Sequence, residues 1–395
     1  MGFASRQPVD ALPLPDPESL AHSARVTAAI GDAVAANGGW ISFREFMRLA
    51  LYAPGLGYYA AGARKLGPAG DFVTAPEMSP LFGYAIANSI ADVFDAIGGG
   101  EILELGAGSG RLAIDVLQRL DALGVTAKYS ILETSADLRE RQRAAIAAIA
   151  PADRVRWLDR LSDEWTGVIL GNEVLDAVPV EWVGRRDGVP FRRGVVTRDD
   201  GSLALDDRPL ASADDESRGM REAIEQRFPE GDFLSEINPA AEALSATLAS
   251  RLQRGLLLWI DYGFPAREYY HPQRSAGTLM CHYRHRAHDD PLLWPGLQDI
   301  TAHVDFTAIA RATCAAGVDL AGYTAQASFL VDCGIVDVLS DAGEPGSAGY
   351  LRATNAVQRL MSPAEMGELF KAIAFTRDVD IPIRGFRRGD RSGRL

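Results

Sequence analysis

The chain has 395 residues, of which 47% are hydrophobic and 24% charged, which is typical of a soluble globular protein with one elaborated domain or two. Its net charge of −13 argues against nucleic acid as a partner and favours a basic substrate segment. The three cysteines, Cys281, Cys314 and Cys333, are widely spaced, so neither a disulfide framework nor a cysteine zinc site is expected.

The N-terminal segment carries no targeting signature. Residues 1–19 contain four prolines, three acidic residues and one arginine, which suits neither a secretory signal nor a basic transit peptide. No apolar stretch reaches the roughly 18–20 residues that span a bilayer. We therefore expect a cytoplasmic protein without a membrane span, with a disordered N-terminus over residues 1–18.

Two helices are predicted next. Apolar residues recur at helical spacing from Ser19 to about Ala36, and Asn37-Gly-Gly39 is a stop signal. Ser42-Phe-Arg-Glu45 is a capping box that opens a second helix over 43–51.

A long loop rich in glycine and aromatic residues then covers 52–77 and precedes a helix from about Pro80 to Ile97. Loops of this length are uncommon unless they are functional, although an ordinary connection is the simpler interpretation. This loop carries Asp71, Thr74 and Glu77 close to the helix that precedes the glycine-rich turn described next.

Residues 101–110 read Glu-Ile-Leu-Glu-Leu-Gly-Ala-Gly-Ser-Gly, and helical spacing follows over 111–120. A strand, a glycine turn and a helix together present backbone N–H groups and a positive helix end to a ligand. Dinucleotide fingerprints run G-x-G-x-x-G, whereas here Arg111 occupies the last glycine position. The G-x-G-x-G spacing resembles the loop that binds S-adenosylmethionine (SAM) in class I methyltransferases. The candidate cofactor residues are Glu104, Gly106, Ala107, Gly108, Ser109 and Gly110.

Strands and helices then alternate, which predicts an α/β protein with a mostly parallel sheet. The predicted strands cover 128–133, 154–159, 165–171 and 255–263, and their carboxyl ends carry Glu133, Asp159, Asn172-Glu173 and Asp261. Such ends line one crevice in an open α/β sheet, where ligands bind. We expect Glu133 to bind ribose hydroxyls and Asp159 to accept from the adenine amine.

Several segments interrupt or extend this core. Asp187-Gly188 predicts a hairpin between 180–184 and 190–197, and the acidic residues 206–217 are predicted to form a mobile surface loop. Further predicted elements are helices over 240–253, 305–316, 329–339 and 348–360, strands over 318–324 and 370–377, and a frayed basic tail over 384–395.

These elements predict a division of the chain into consecutive parts. The parts are a helical cap with the active-site loop (19–97), the first part of a methyltransferase core (98–200), an acidic insertion with a helix (201–250), a core strand (251–263), a further insertion (264–315), the C-terminal part of the core (316–380) and a basic tail (381–395).

Methyl transfer from SAM mainly requires alignment of the acceptor and exclusion of water. An arginine acceptor, with a pKa above about 12, would also need carboxylates around its guanidinium. The catalytic candidates are Asn172, Glu173 and Asp176, with Glu77 from the N-terminal loop and His303 from Asp299-Ile-Thr-Ala-His-Val-Asp305. Helix capping is the alternative for Asp176 and Asp305. The spacing of His282, His285 and His288 differs from that of a helical zinc site, so no metal is expected.

Six segments together resemble the MidA-type SAM-dependent methyltransferases, a family that includes the mitochondrial complex I assembly arginine methyltransferase and bacterial relatives. They are Gly70–Glu77, Leu103–Gly110, Asn172–Pro179, Ile260–Gly263, Asp299–Phe306 and Met366–Lys371. The resemblance implies a class I (Rossmann-like) core with an N-terminal helical cap and insertions between the later strands. It also implies that the three glycines form the SAM loop, and that Asn172 with Glu173 form the substrate-side signature.

The resemblance further implies that some members of the family symmetrically dimethylate an arginine of an NADH dehydrogenase subunit. Two features depart from the family pattern: Tyr84 stands where an acid is expected, and His282 and His288 flank the more usual single histidine, His285.

The leading hypothesis is a protein arginine methyltransferase that binds SAM and acts on an exposed arginine segment of a protein. The alternatives are a small-molecule methyltransferase and a non-catalytic assembly factor that keeps the SAM fold. An NAD-dependent oxidoreductase is disfavoured by Arg111. A homodimer is left open.

Overall fold

The computed structural model describes residue 8 and residues 12–60, 74–151, 153–211 and 213–395, so the predicted contribution of Asp71 lies outside the described residues. The elements of the first half are α1 (Pro17–Ala36), β1 (Ile41–Ser42), α2 (Phe43–Tyr52), α3 (Ala75–Met78), α4 (Pro80–Ile97), β2 (Glu101–Leu105), α5 (Arg111–Ala122), β3 (Lys128–Leu132), α6 (Ala136–Ala147), β4 (Val155–Leu158), β5 (Trp165–Asn172), β6 (Glu181–Arg186) and β7 (Val189–Thr197).

The elements of the second half are β8 (Leu203–Pro209), α7 (Asp215–Arg227), β9 (Phe233–Ile237), α8 (Pro239–Arg251), β10 (Leu252–Phe264), α9 (Ala266–Tyr269), β11 (Met280–Tyr283), β12 (Arg286–His288), β13 (Asp299–Thr301), β14 (Val304–Asp305), α10 (Phe306–Ala315), β15 (Asp319–Ala325), α11 (Gln326–Asp332), α12 (Ile335–Ser340), α13 (Ala348–Met361) and β16 (Phe370–Arg377). The bounds of α4 and β16 are those that the sequence predicts.

The main sheet has the order β15-β16-β10-β5-β2-β3-β4, with β14 added beside β10. The strands from β10 to β4 run parallel to one another, whereas β15 and β16 are antiparallel to their neighbours. All five parallel strands therefore end at the same edge of the sheet. Glu104 near the end of β2, Glu133 after β3 and Glu173 after β5 lie at this edge.

Both faces of this sheet are buried, which explains the continuous apolar runs of its central strands. Successive side chains of β10 point to opposite faces. Leu256, Leu258 and Ile260 pack into a core beneath α4 and α5, and Leu257 and Trp259 pack into a second core beneath α8 and α10.

A second, antiparallel sheet contains β1, β6, β7, β8 and β9. The predicted hairpin is confirmed, since Asp187 and Gly188 both have positive φ between β6 and β7. The prediction of a mobile loop over 206–217 is wrong: β8 pairs with β7 through Pro209, and α7 begins at Asp215. The acidic residues of this segment are held by pairing partners, as in the bond from Arg193 to Asp207 of 2.7 Å.

Two predictions for the C-terminal region are also wrong. The helix expected over 329–339 is two helices, because Gly334 adopts a left-handed conformation with a φ of 83°. The tail is not frayed: Phe386 is buried, and the carboxylate of Asp390 accepts a hydrogen bond from the Tyr323 N–H at 2.9 Å. Apolar burial and this bond hold the tail against β15.

Within the described ranges, no helix combines the length and the apolarity required to cross a membrane. The same part of the chain contains no group of three His, Cys, Asp or Glu side chains that could hold a metal ion.

Candidate active site

A cavity of about 440 Å³ lies at the carboxyl edge of the main sheet. The ends of β2, β3, β5 and β10 form its floor, and Tyr52, Tyr59, Thr74 and Pro76 approach it from the N-terminal cap. Residues from β11 to β13 and from the segment before β16 complete the wall. The predicted crevice at the strand ends is therefore present.

The glycine loop forms one wall. Gly106, Gly108 and Gly110 have φ values of 61°, 54° and 83°, a left-handed region that glycine adopts without strain. Gly106, Ala107, Gly108 and Ser109 line the cavity, whereas Gly110 caps the N-terminus of α5. The loop thus presents backbone and the positive end of a helix to the cavity.

Two buried glutamates stand beside this loop. Glu104 accepts a hydrogen bond from the Tyr129 hydroxyl at 2.8 Å, and burial raises the pKa of Glu104 to about 8. Glu133 accepts from the Ser135 N–H at 2.9 Å and from the Gln142 amide at 3.1 Å. Burial also raises the pKa of Glu133. Both carboxylates line the cavity as acceptors for a polar ligand.

Asp159 does not reach the cavity. Its side chain is 88% exposed and pairs with Arg139 at 2.6 Å. β4 ends at Leu158 at the margin of the sheet, so the next residue points into solvent, and the expected contact between Asp159 and adenine is not supported by this geometry.

Glu77 contacts the cofactor loop and is not among the described residues that line the cavity. It belongs to the short helix α3, and its carboxylate accepts a hydrogen bond from the Ser109 hydroxyl. A predicted residue of the N-terminal cap therefore contacts the glycine loop itself.

The residues that directly follow β5 form another part of the cavity lining. Asn172, Glu173 and Asp176 all line the cavity, so the structure brings these three candidates together. Glu173 adopts a φ of 53°, which is unusual for a residue with a side chain. Burial, reinforced by the charge of Asp176, raises the pKa of Glu173 to about 8. Burial likewise raises the pKa of Asp176 to about 6, although the Tyr262 hydroxyl donates to it at 2.6 Å.

His303 also lines the cavity, between the rings of Tyr262 and Phe264. Burial, together with the nearby charge of Arg274, lowers the pKa of His303 to about 3, so the imidazole is neutral. Its Nδ1 atom is buried and has no hydrogen-bond partner among the residues described.

The three histidines of the 282–288 segment do not converge. His282 lines the cavity, His285 occupies the turn between β11 and β12 with a φ of 62°, and His288 is buried elsewhere. Because residues alternate across a strand pair, His282 and His288 project from different faces of this hairpin.

Some lining residues were not predicted. Tyr52 and Tyr59 stack with ring centroids 5.3 Å apart, and the Tyr59 hydroxyl donates to Asp299 at 2.8 Å. Tyr52 donates to the carbonyl of Ala177 at 2.9 Å. Their aromatic clustering over 52–59 is visible in the sequence, but its partners are more than 100 residues away.

A family model of S-adenosyl-L-methionine-dependent methyltransferases matches residues 85–324, more than half of the chain. The chain belongs to this family. The predicted family and fold class are therefore confirmed.

Relatives of this methyltransferase extend over most of its length. The mouse protein arginine methyltransferase NDUFAF7, mitochondrial, is 30% identical over 377 residues, which cover 85% of this chain and 81% of the mouse protein. The Drosophila melanogaster homolog is 28% identical over 371 residues, with 85% and 81% covered.

A solved structure is similar throughout. It is a COG1565 superfamily member from Burkholderia thailandensis bound to S-adenosyl-homocysteine (SAH), with 48% identity and a TM-score of 0.92, covering 98% of this chain and 100% of that one. The native crystal structure of a COG1565 superfamily protein from the same organism has a TM-score of 0.90.

The residues of the cavity fit the SAM on which the methyltransferase family depends. The volume falls in the range of small-molecule sites, roughly 300–1,000 Å³. The buried Oδ1 of Asn172 has no partner among the described residues and is free to accept from a ligand. Glu133 would accept from ribose hydroxyls, and the glycine loop would hold the anionic end. When bound, SAM supplies a methyl group on a positively charged sulfur.

Proposed function

We propose that this methyltransferase modifies the guanidinium group of an arginine in a protein substrate. The observation that carries the proposal is the pair of buried carboxylates, Glu173 and Asp176, on the cavity wall beside Asn172. In the described part of the chain, neither carboxylate forms an ion pair with a basic residue. Buried carboxylates without a cation are costly, and a guanidinium would supply the missing charge.

The shape of a guanidinium suits these acceptors. It presents five N–H donors in one plane and pairs with carboxylates through parallel hydrogen bonds. Besides Glu173 and Asp176, the neutral ring of His303 lines the same cavity, and its unpartnered Nδ1 accepts or donates a hydrogen bond according to the tautomer. The aromatic faces of Tyr52 and Tyr59 would contact the side chain on its way in.

The chemistry assigns a role to each acid. A charged guanidinium must lose one proton when its nitrogen gains a methyl group, because its own pKa exceeds about 12. Glu173, with its pKa near 8, is the group that we expect to take that proton. Asp176, held by Tyr262, would keep its charge and orient the remaining N–H groups.

Two further observations support a protein acceptor. The NDUFAF7 relatives are named protein arginine methyltransferases, and the net charge of −13 favours association with a basic segment. We further propose that the methyltransferase acts in the cytoplasm, where its three free cysteines would remain reduced.

The test uses tritium-labelled SAM, the purified protein and a bacterial lysate. We expect labelled protein bands whose acid hydrolysis releases methylated arginine, and loss of this label with the variant Glu173→Gln. Label confined to the low-mass fraction would replace the proposal with a small-molecule acceptor. Absence of SAH binding by titration calorimetry would instead favour a non-catalytic assembly factor.

A further inference from the structure

Three consecutive residues near the end of β10, Ile260 to Tyr262, contact residues 173–176, the segment that directly follows β5. The carbonyl of Ile260 accepts from the Glu173 N–H at 2.9 Å. The Tyr262 hydroxyl donates to Asp176 at 2.6 Å. Asp261, which lies between Ile260 and Tyr262, is only 1% exposed. Its side chain accepts hydrogen bonds from the backbone of residues 174–176.

The carboxylate of Asp261 accepts four backbone N–H groups. Its Oδ2 accepts from Val174 at 3.1 Å, from Leu175 at 2.9 Å and from Asp176 at 3.3 Å, and its Oδ1 accepts from Tyr262 at 2.9 Å. An asparagine offers one acceptor oxygen and a donor amide, so it cannot reproduce this set. Three of these bonds, together with the bond from the Glu173 N–H to Ile260, define the path of the segment 173–176.

That path includes a strained residue. Glu173 has a φ of 53°, a conformation that persists only where the surroundings enforce it. Its N–H is bound by Ile260, and the next three N–H groups are bound by Asp261. These contacts aim the side chains of both Glu173 and Asp176 into the cavity.

We propose that Asp261 is a positioning residue for methyl transfer, which fixes Glu173 and Asp176 at the acceptor through the backbone of residues 173–176. The proposal rests on the acceptor-side role that we assign to these two acids. It does not require that the acceptor be arginine. Asp261 itself does not line the cavity, so it acts through this segment and not on the substrate.

The test compares Asp261→Asn with wild type by titrating binding sites with SAH and measuring tritium transfer per SAH-binding site into whichever lysate fraction is labelled. We expect SAH affinity within about threefold of wild type and a transfer rate that falls about a hundredfold, as misplacement of reacting groups by an ångström can cause. A role in folding alone would lower the number of SAH-binding sites but leave the rate per site unchanged.

Asp390→Asn is the matched control, because Asp390 also accepts backbone N–H groups, from Tyr323 and Ser392, but holds the tail. We expect it to lower the melting temperature without changing the rate per site. If Asp261→Asn does not fold, Asp261→Glu keeps both acceptor oxygens but displaces them by one methylene from the N–H groups of residues 174–176, and it should slow transfer about tenfold with SAH affinity kept.

Two results would overturn the proposal: a rate per site in Asp261→Asn within threefold of wild type, or loss of SAH affinity in the folded variant. Where Asp261→Asn cannot be measured, a rate per site within threefold of wild type in Asp261→Glu does the same. If the label is found only in metabolites, the arginine proposal fails, while the comparison of Asp261→Asn with wild type still decides the role of Asp261.

Discussion

The hydroxyl of Ser109 donates a hydrogen bond to the carboxylate of Glu77, and this bond ties the short helix α3 to the glycine loop. Ser109 lies between two glycines that adopt left-handed backbone conformations. The sequence predicts Glu77 as a catalytic residue. In the structure, its carboxylate supports the glycine loop from outside the cavity.

Substitution of Ser109 by alanine should therefore weaken cofactor binding. Loss of one hydrogen bond to a charged group costs about 1.5–3 kcal/mol where the carboxylate stays buried, and less where water replaces the hydroxyl. We expect SAH affinity, measured by titration calorimetry, to fall about tenfold. Ser340→Ala, at an exposed serine on α12 that bonds only within its helix, should leave affinity unchanged. Equal affinities in both variants would show that the contact is dispensable.

Glu133 and Asp159 provide a matched pair for the cofactor site. Glu133→Gln removes a buried carboxylate that lines the cavity, and we expect SAH affinity to fall at least tenfold. Asp159→Asn changes a side chain that is 88% exposed and should leave affinity within twofold. A larger loss of SAH affinity in the Asp159 variant would support the contact with adenine that the sequence predicts.

Glu173→Gln should separate methyl transfer from cofactor binding. The amide cannot take a proton from the acceptor or pair with its charge, so we expect the turnover number to fall about a hundredfold while SAH affinity stays near that of wild type. Single-turnover transfer of tritium from bound SAM measures the effect. Retention of more than a third of the wild-type rate would remove Glu173 from the catalytic group.

The same residue predicts a pH dependence. Glu173 must be ionised to bind a cation, and its pKa in the free protein is about 8, so kcat/KM should rise as pH increases toward that value. In Glu173→Gln, the residual acid limb should move toward pH 6, the region where Asp176 titrates. An unchanged profile between pH 5.5 and 8.5 would argue against this assignment.

The buried carboxyl group of Glu104 should make the cofactor-free protein less stable as pH rises. Its pKa is raised by burial from an ordinary value near 4.5 to about 8, so the folded state binds the proton more tightly than the unfolded state. The stabilisation is complete at low pH and is lost as pH rises toward 8. Glu104→Gln removes this loss, and between pH 6 and 8 its free energy of unfolding should decline about 2 kcal/mol less than that of wild type.

Urea unfolding at the two pH values measures that difference. Glu140→Gln, at an exposed position on α6, is the control and should behave as wild type does. Parallel declines in wild type and Glu104→Gln would contradict the prediction.

Local signals in the sequence predicted much of the core. The predicted bounds of the helix that ends at Ile97 and of the strand from Phe370 to Arg377 agree with the structure. The hairpin at Asp187-Gly188 and the acids at the strand ends also follow from local spacing and turn residues. These features depend on neighbours in the chain, so periodicity and turn chemistry suffice.

The remainder depends on contacts between distant residues. β9 packs as part of a sheet whose partners lie some fifty residues earlier, and its mixed composition carries no strand period. The exposure of Asp159 follows from its place at the margin of the sheet, and the bond from Tyr59 to Asp299 crosses 240 positions. No local pattern contains such information.

The position of β16 has a consequence for how the protein is made. This strand, Phe370–Arg377, lies between β10 and β15. During synthesis, more than a hundred further residues must therefore be added before β16 can pair with β10. Until then, the backbone groups along this edge of the apolar strand β10 have no partner strand, a situation in which incomplete chains aggregate. Chains truncated before Phe370 should depend on chaperones to remain in solution.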